Sequence, residues 1–165
     1  MPEHAANVLE ATVSALDGGE TPDWIAEHVR RYRETAGADG HLWDTTPVGG
    51  DGPRPCLLLT TYGRKSGKAY VHPLLYAQDG ARWVIVASKG GSDFHPHWYH
   101  NLLASPAVRV QVGPEEFAAR ARLVDDAEHP RLWALVTAMY PPYVDYQSRT
   151  RRRIPLFVLE RAAGA

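Results

Sequence analysis

Two short polar bends carry the densest chemistry in this chain. The first is Gly63-Arg64-Lys65-Ser66-Gly67-Lys68, which follows the apolar run Leu57-Leu58-Leu59 and the pair Thr60-Thr61. Glycine at both ends bends the backbone sharply and admits a close-lying group. Three cations, one hydroxyl and the loop's backbone N–H groups then make an anion site, or else a basic turn that only faces water. The second bend, Ser88-Lys89-Gly90-Gly91-Ser92, follows RWVIVAS and repeats the same order of strand, hydroxyl, cation and two glycines. Two such bends converging on one polyanionic ligand would each contribute about 1.5–3 kcal/mol per charge-assisted contact. Gly90 and Gly91 would let a flat ring lie on the backbone.

Two aromatic segments add a second kind of chemistry. In His95-Pro96-His97-Trp98-Tyr99-His100-Asn101, Trp98 and Asn101 stand three apart on an expected helix. They pair a flat apolar wall with an amide that both donates and accepts, which suits a heteroaromatic ligand. His97 and His100 share that spacing, but no cysteine or carboxylate completes a ligand set, so capping or surface roles are expected and no metal. In Met139-Tyr140-Pro141-Pro142-Tyr143-Val144-Asp145-Tyr146, three tyrosines recur at spacing three beyond a helix end. The prolines stop that helix, so the segment reads as an extended or turned lid. Its tyrosines either close a barrel mouth by packing or line a substrate pocket with their hydroxyls. Arg151-Arg152-Arg153 reads as a solvated run. The lone cysteine, Cys56, reads as a small buried hydrophobe.

The elements that must position these residues follow from pattern. Thr21-Pro22-Asp23 starts a helix over about 22–36, with Trp24, Ile25, His28, Val29 and Tyr32 on one stripe and Gly37 as the stop. The stripe packs on the core, or alternatively meets a lipid surface. Residues 1–20 are at best a weak helix, and the glycines and prolines of 38–55 make a loop. Strands are expected at 56–62, 69–77, 82–88, 107–112, after the Gly113-Pro114 turn to about 123, and at 154–160, with helices near 95–104 and 127–139. Asp79-Gly80 marks a hairpin, and 82–88, apolar on both faces, should be central. The expected fold is mainly β with three or four helices: a helical segment and loop at 1–55, then a small barrel of about six mostly antiparallel strands at 56–160.

Composition bounds the rest. The 165 residues, 44% hydrophobic and 22% charged, suit one ordinary globular protein, and the net charge of -1 argues against a nucleic-acid binder. No apolar run approaches the roughly 18 residues of a spanning helix, and the N-terminus lacks the order of a secretory signal. A cytoplasmic location follows, with membrane association as the alternative. No P-loop, GxSxG or strand-linked GxGxxG is present, and no redox cysteine pair exists.

Taken in order, LLLTTYGRKSGK, VHPLLY, VIVASKGGSDFHPHWYHNLLASP, VRVQVG, MYPPYVDYQ and IPLFVLE resemble the deazaflavin-dependent nitroreductase family across about residues 56–160. The resemblance implies a split β-barrel of flavin-reductase type. It also implies reduced coenzyme F420 as hydride donor to quinones or nitroaromatics. It places Arg64, Lys65 and Ser66 on the cofactor's phosphate and acidic tail, and Pro73 with Ala87, Ser88 and Lys89 along the deazaflavin ring. It puts Trp98 and Asn101 on the cofactor too, and Ser88, Tyr140, Tyr143 and Tyr146 around the electron acceptor. The chain departs from the family at Tyr70, where a basic residue is frequent, at His72, where threonine is, and at Leu75, where some relatives carry an aromatic. FMN on the same fold, or a non-catalytic binder of the cofactor or an apolar ligand, are the competing readings. The unit is a monomer or a homodimer.

Overall fold

A computed structural model describes residues 23–163; the weak helix expected at 1–20 and the Thr21-Pro22 start lie outside them. Helix α1, Asp23–Glu34, turns Ile25 and Tyr32 into the protein, while Glu27 pairs with Arg30 and Arg31 on the outside. The apolar stripe thus packs on the barrel. The Tyr32 hydroxyl donates to the Cys56 carbonyl (2.9 Å) and accepts from Gly113 N–H (2.8 Å), which fastens the helix to two strands.

Eight strands follow, and all their pairings are antiparallel: β1 Leu42–Asp44, β2 Pro53–Tyr62, β3 Ala69–Leu75, β4 Ala77–Asp79, β5 Arg82–Val86, β6 Ala107–Val112, β7 Glu115–Leu123 and β8 Leu156–Arg161. The sheet runs β1-β2-β6-β7-β8-β5-β4, with β3 also on β2. The expected single strand at 69–77 is two. It breaks at Tyr76, whose N–H bonds to the Pro55 carbonyl; β3 then pairs with β2 and β4 with β5. That break carries the chain from one end of the sheet to the other and rolls it into a split barrel. The expected loop at 38–55 also holds β1 and the first residues of β2, so a boundary at residue 56 falls inside β2.

Alternation separates two cores. Leu57, Leu59, Trp83, Ile85, Val108, Val110, Phe117, Phe157 and Leu159 fill the barrel. Val84, Val86, Leu156 and Val158 face outward under α3, His129–Met139, and α4, Pro142–Ser148. This corrects the reason given for a central third strand. β5 lies beside the short edge strand β4, and it is apolar on both faces because helices cover the outer one. The tyrosine segment is likewise no extended lid. Pro141-Pro142 ends α3 but starts α4, since proline is tolerated in a helix's first turn. α2, His97–Ala104, begins directly after Pro96.

Candidate active site

One cavity of about 560 Å³ opens between the β2–β3 turn, β3, the end of β5, α2 and α4. Its rim is the first basic bend. The six residues between Tyr62 and Ala69 form a hairpin loop closed by Gly63 N–H to the Lys68 carbonyl and Gly67 N–H to the Gly63 carbonyl, both 2.8 Å. Gly67 reaches this turn at φ 71°, a left-handed value that suits glycine. Arg64 leans on α2: its N–H and Nη1 both donate to Asn101 Oδ1, at 3.2 and 3.1 Å. Lys68 N–H bonds to Ser66 Oγ. Among the described residues, that leaves the N–H groups of Lys65 and Ser66 without a partner, both at the exposed lip.

The second bend forms the floor. Ser88, Lys89 and Gly90 line the same cavity as Arg64, Lys65 and Ser66, so the two cationic bends do converge. Lys89 adopts φ 46°, Gly90 φ 63° and Gly91 φ 86°, three consecutive left-handed residues. A non-glycine residue there costs about 1–2 kcal/mol, so the surroundings must impose it. Two contacts do. A Cβ on Gly91 would come within 2.7 Å of the Tyr146 carbonyl oxygen, so the bend lies directly on α4. Arg152, expected in a solvated run, is instead half-buried behind the bend, donating to the carbonyls of Ala87, Ser88 and Ser92. Lys89 is itself 8% exposed.

The walls come from α2, β3 and α4. Trp98 and Asn101 are buried, and Trp98 Nε1 is a buried donor with no partner among the described residues. Such a group is normally satisfied by a bound molecule or water. Pro73 borders the cavity from β3, opposite Leu58. Tyr140, Tyr143 and Tyr146 close the inner end; the hydroxyls of Tyr140 and Tyr146 stand 3.0 Å apart. Burial raises the pKa of all three phenols above the ordinary value, which keeps them protonated. Of the expected site residues only Ala87 stays off the cavity surface; it is fully buried, its N–H on the Pro155 carbonyl.

Some residues at the cavity were not expected there. Trp24 and Trp43, stacked at 6.0 Å between ring centroids, extend the apolar wall from α1 and β1. His72, noted only as a departure, is buried on the cavity's side of the barrel with Nε2 3.1 Å from Thr61 Oγ1. Desolvation lowers its pKa to about 4, so the ring is neutral. Burial raises the Cys56 thiol, in keeping with an inert hydrophobe. Among the described residues no group of three His, Cys, Asp or Glu is placed to hold a metal ion, and no helix is long and apolar enough to cross a membrane.

The split antiparallel barrel is the flavin-reductase-like fold, with a cationic lip, a glycine floor and an aromatic end around its cavity. The F420H(2)-dependent quinone reductase family model matches residues 24–161, and the chain belongs to that family. It is 43% identical over 150 residues to the F420H(2)-dependent quinone reductase of Mycobacterium tuberculosis, spanning 84% of this chain and 96% of that protein. A solved F420-H2 dependent reductase is 42% identical, covers 65% of this chain and 95% of its own, and superposes with a TM-score of 0.61. A solved domain-swapped dimer is 39% identical, covers 84% and 98%, and gives 0.64. The protein is therefore an oxidoreductase with reduced coenzyme F420 as its reductant and quinones as its acceptor class.

Proposed function

We propose that the cavity seats F420 with its anionic tail on Arg64, Lys65 and Ser66 and its ring beside Pro73, Ser88, Lys89, Trp98 and Asn101, and that quinones, and nitroaromatics with them, are reduced against the tyrosines. The observation that carries this reading is that both cationic bends border one cavity ending at Tyr140, Tyr143 and Tyr146. The residues fit such a cofactor: charge sits at the exposed lip, and an unpartnered indole N–H waits inside. Ala87 acts from behind, through the bend it anchors.

The cofactor supplies the hydride when bound. The chain supplies position, exclusion of water and hydrogen bonds. Tyr140 and Tyr146 share one bond between two hydroxyls, so one O–H remains to polarise an acceptor oxygen. Their raised pKa means they orient that oxygen as neutral donors, with Ser88 lining the same cavity. The domain-swapped dimer among the structural relatives supports a homodimer, which sedimentation velocity decides.

The test is a spectroscopic titration with F420 against FMN, followed by menadione turnover under reduced F420. F420 binding and menadione reduction are expected, and Lys89→Ala should weaken F420 binding by roughly tenfold to a hundredfold. Unchanged binding would take Lys89 out of the cofactor site.

A further inference from the structure

Arg152 is not among the residues that line the cavity, yet its side chain holds both ends of the bend that forms the cavity's floor. Its Nε donates to the Ser92 carbonyl at 2.7 Å, Nη2 to the Ser88 carbonyl at 2.8 Å and Nη1 to the Ala87 carbonyl at 3.2 Å, while His95 Nδ1 accepts at 3.1 Å. Three carbonyls spread over residues 87–92 thus point away from the cavity onto one planar cation. That fixes the peptide planes on either side of the left-handed stretch Lys89-Gly90-Gly91. The hold continues to the other side of the site. The Arg152 carbonyl accepts from Gln147 Nε2 at 2.7 Å, and Gln147 Oε1 accepts from Ile154 N–H at 2.9 Å. Gln147 belongs to α4, which carries Tyr143 and Tyr146.

We infer that Arg152 is the positioning residue that registers the Ser88–Gly91 floor against the tyrosine helix, and so sets the spacing between cofactor and acceptor. Its side chain grips the floor and its backbone is gripped by the tyrosine helix, so it ties the two walls together beside the direct contact of Gly91 with Tyr146. Planarity matters, because one guanidinium reaches three carbonyls and an imidazole at once; an ammonium at the end of a flexible stem cannot reproduce that fork. The bonds to His95 and the carbonyls satisfy the guanidinium by dipoles, with the Asp93 carboxylate as a nearby charge.

This inference rests on the cofactor placement proposed above, and the experiment separates the two. Parent, Arg152→Lys, Arg152→Ala and Gln147→Ala are titrated with F420, and the turnover of menadione is measured with cofactor saturating. Failure of the parent to bind F420 would sink the placement itself. With the parent binding, Arg152→Ala should weaken F420 binding about tenfold, and Arg152→Lys should recover little of it. Gln147→Ala should lower kcat while F420 affinity stays within about twofold, since it loosens the tyrosine side alone. Ethylguanidinium should restore binding to Arg152→Ala but not to Lys89→Ala. The inference is overturned if Arg152→Ala lowers the melting temperature while F420 affinity and kcat remain at the parent value, or if the lysine variant restores both fully.

Discussion

The two ends of the cavity are built on opposite principles. At the lip, Arg64, Lys65 and Ser66 are exposed, and Arg64 alone is tied to a helix. At the inner end, Tyr140, Tyr143 and Tyr146 are buried; Tyr143 packs edge to face on the other two, whose hydroxyls are hydrogen-bonded to each other. Charge in water acts over distance, tolerates imprecise geometry and weakens with salt. Buried phenols act only at contact, and their position is set by packing. A long flexible anionic tail suits the first construction, and a flat acceptor that must meet a flat donor in one geometry suits the second.

The sharpest way to break this comparison is to empty the inner end. Tyr143→Ala should destabilise the fold by about 3–5 kcal/mol, as loss of a buried aromatic does; thermal or urea unfolding checks it, and a loss under about 1 kcal/mol would mean the tyrosine end is not a packed wall. Next comes the ring between the two ends. His72 is neutral in the folded state with its pKa lowered to about 4, whereas unfolded histidine titrates near its ordinary value of about 6.5. The unfolded chain therefore binds the extra proton first. The stability this ring confers is whole above about pH 6.5 and falls as pH drops toward about 4, by about 3 kcal/mol in all. Unfolding followed between pH 7 and 4 should steepen accordingly, and His72→Thr should flatten the slope.

Smaller effects sharpen the contrast. Gly91→Ala places a methyl at φ 86° against the Tyr146 carbonyl and should cost about 1–3 kcal/mol in unfolding experiments. At the lip, Arg64→Ala should leave melting nearly unchanged and weaken F420 binding about tenfold at low salt, the deficit shrinking as salt rises. Tyr140→Phe, which removes one bond between two hydroxyls, should lower stability by only about 1 kcal/mol while lowering kcat for quinones.

The chain order of these parts was readable because local chemistry marks it. A strand that ends in glycine-flanked cations is visible in both bends, and the alternation of Val108, Val110 and Phe117 fixes their place in the barrel. What escaped was tertiary. Arg152 stands between two other arginines, so composition assigns it to solvent; its partners lie 57–65 positions away. The strand break at Tyr76 leaves no trace either, because 69–79 is one continuous strand-like run whose two halves differ only in what they pair with. The second proline-started helix was missed because Pro141-Pro142 signals an ending more loudly than a beginning. Trp24 and Trp43 meet only once α1 has folded over β1.

The central claim is that the lip reads the cofactor's acidic tail and the rest of the cavity reads its ring. It is tested most directly by titrating parent and Arg64→Ala/Lys65→Ala protein with F420 and with the deazaflavin chromophore stripped of its phosphate and acidic tail. The account predicts that the stripped chromophore binds the parent at least about tenfold more weakly than F420, and that the double substitution weakens F420 binding but not that of the stripped chromophore. Equal loss for both molecules, or equal affinity of the parent for both, would contradict it.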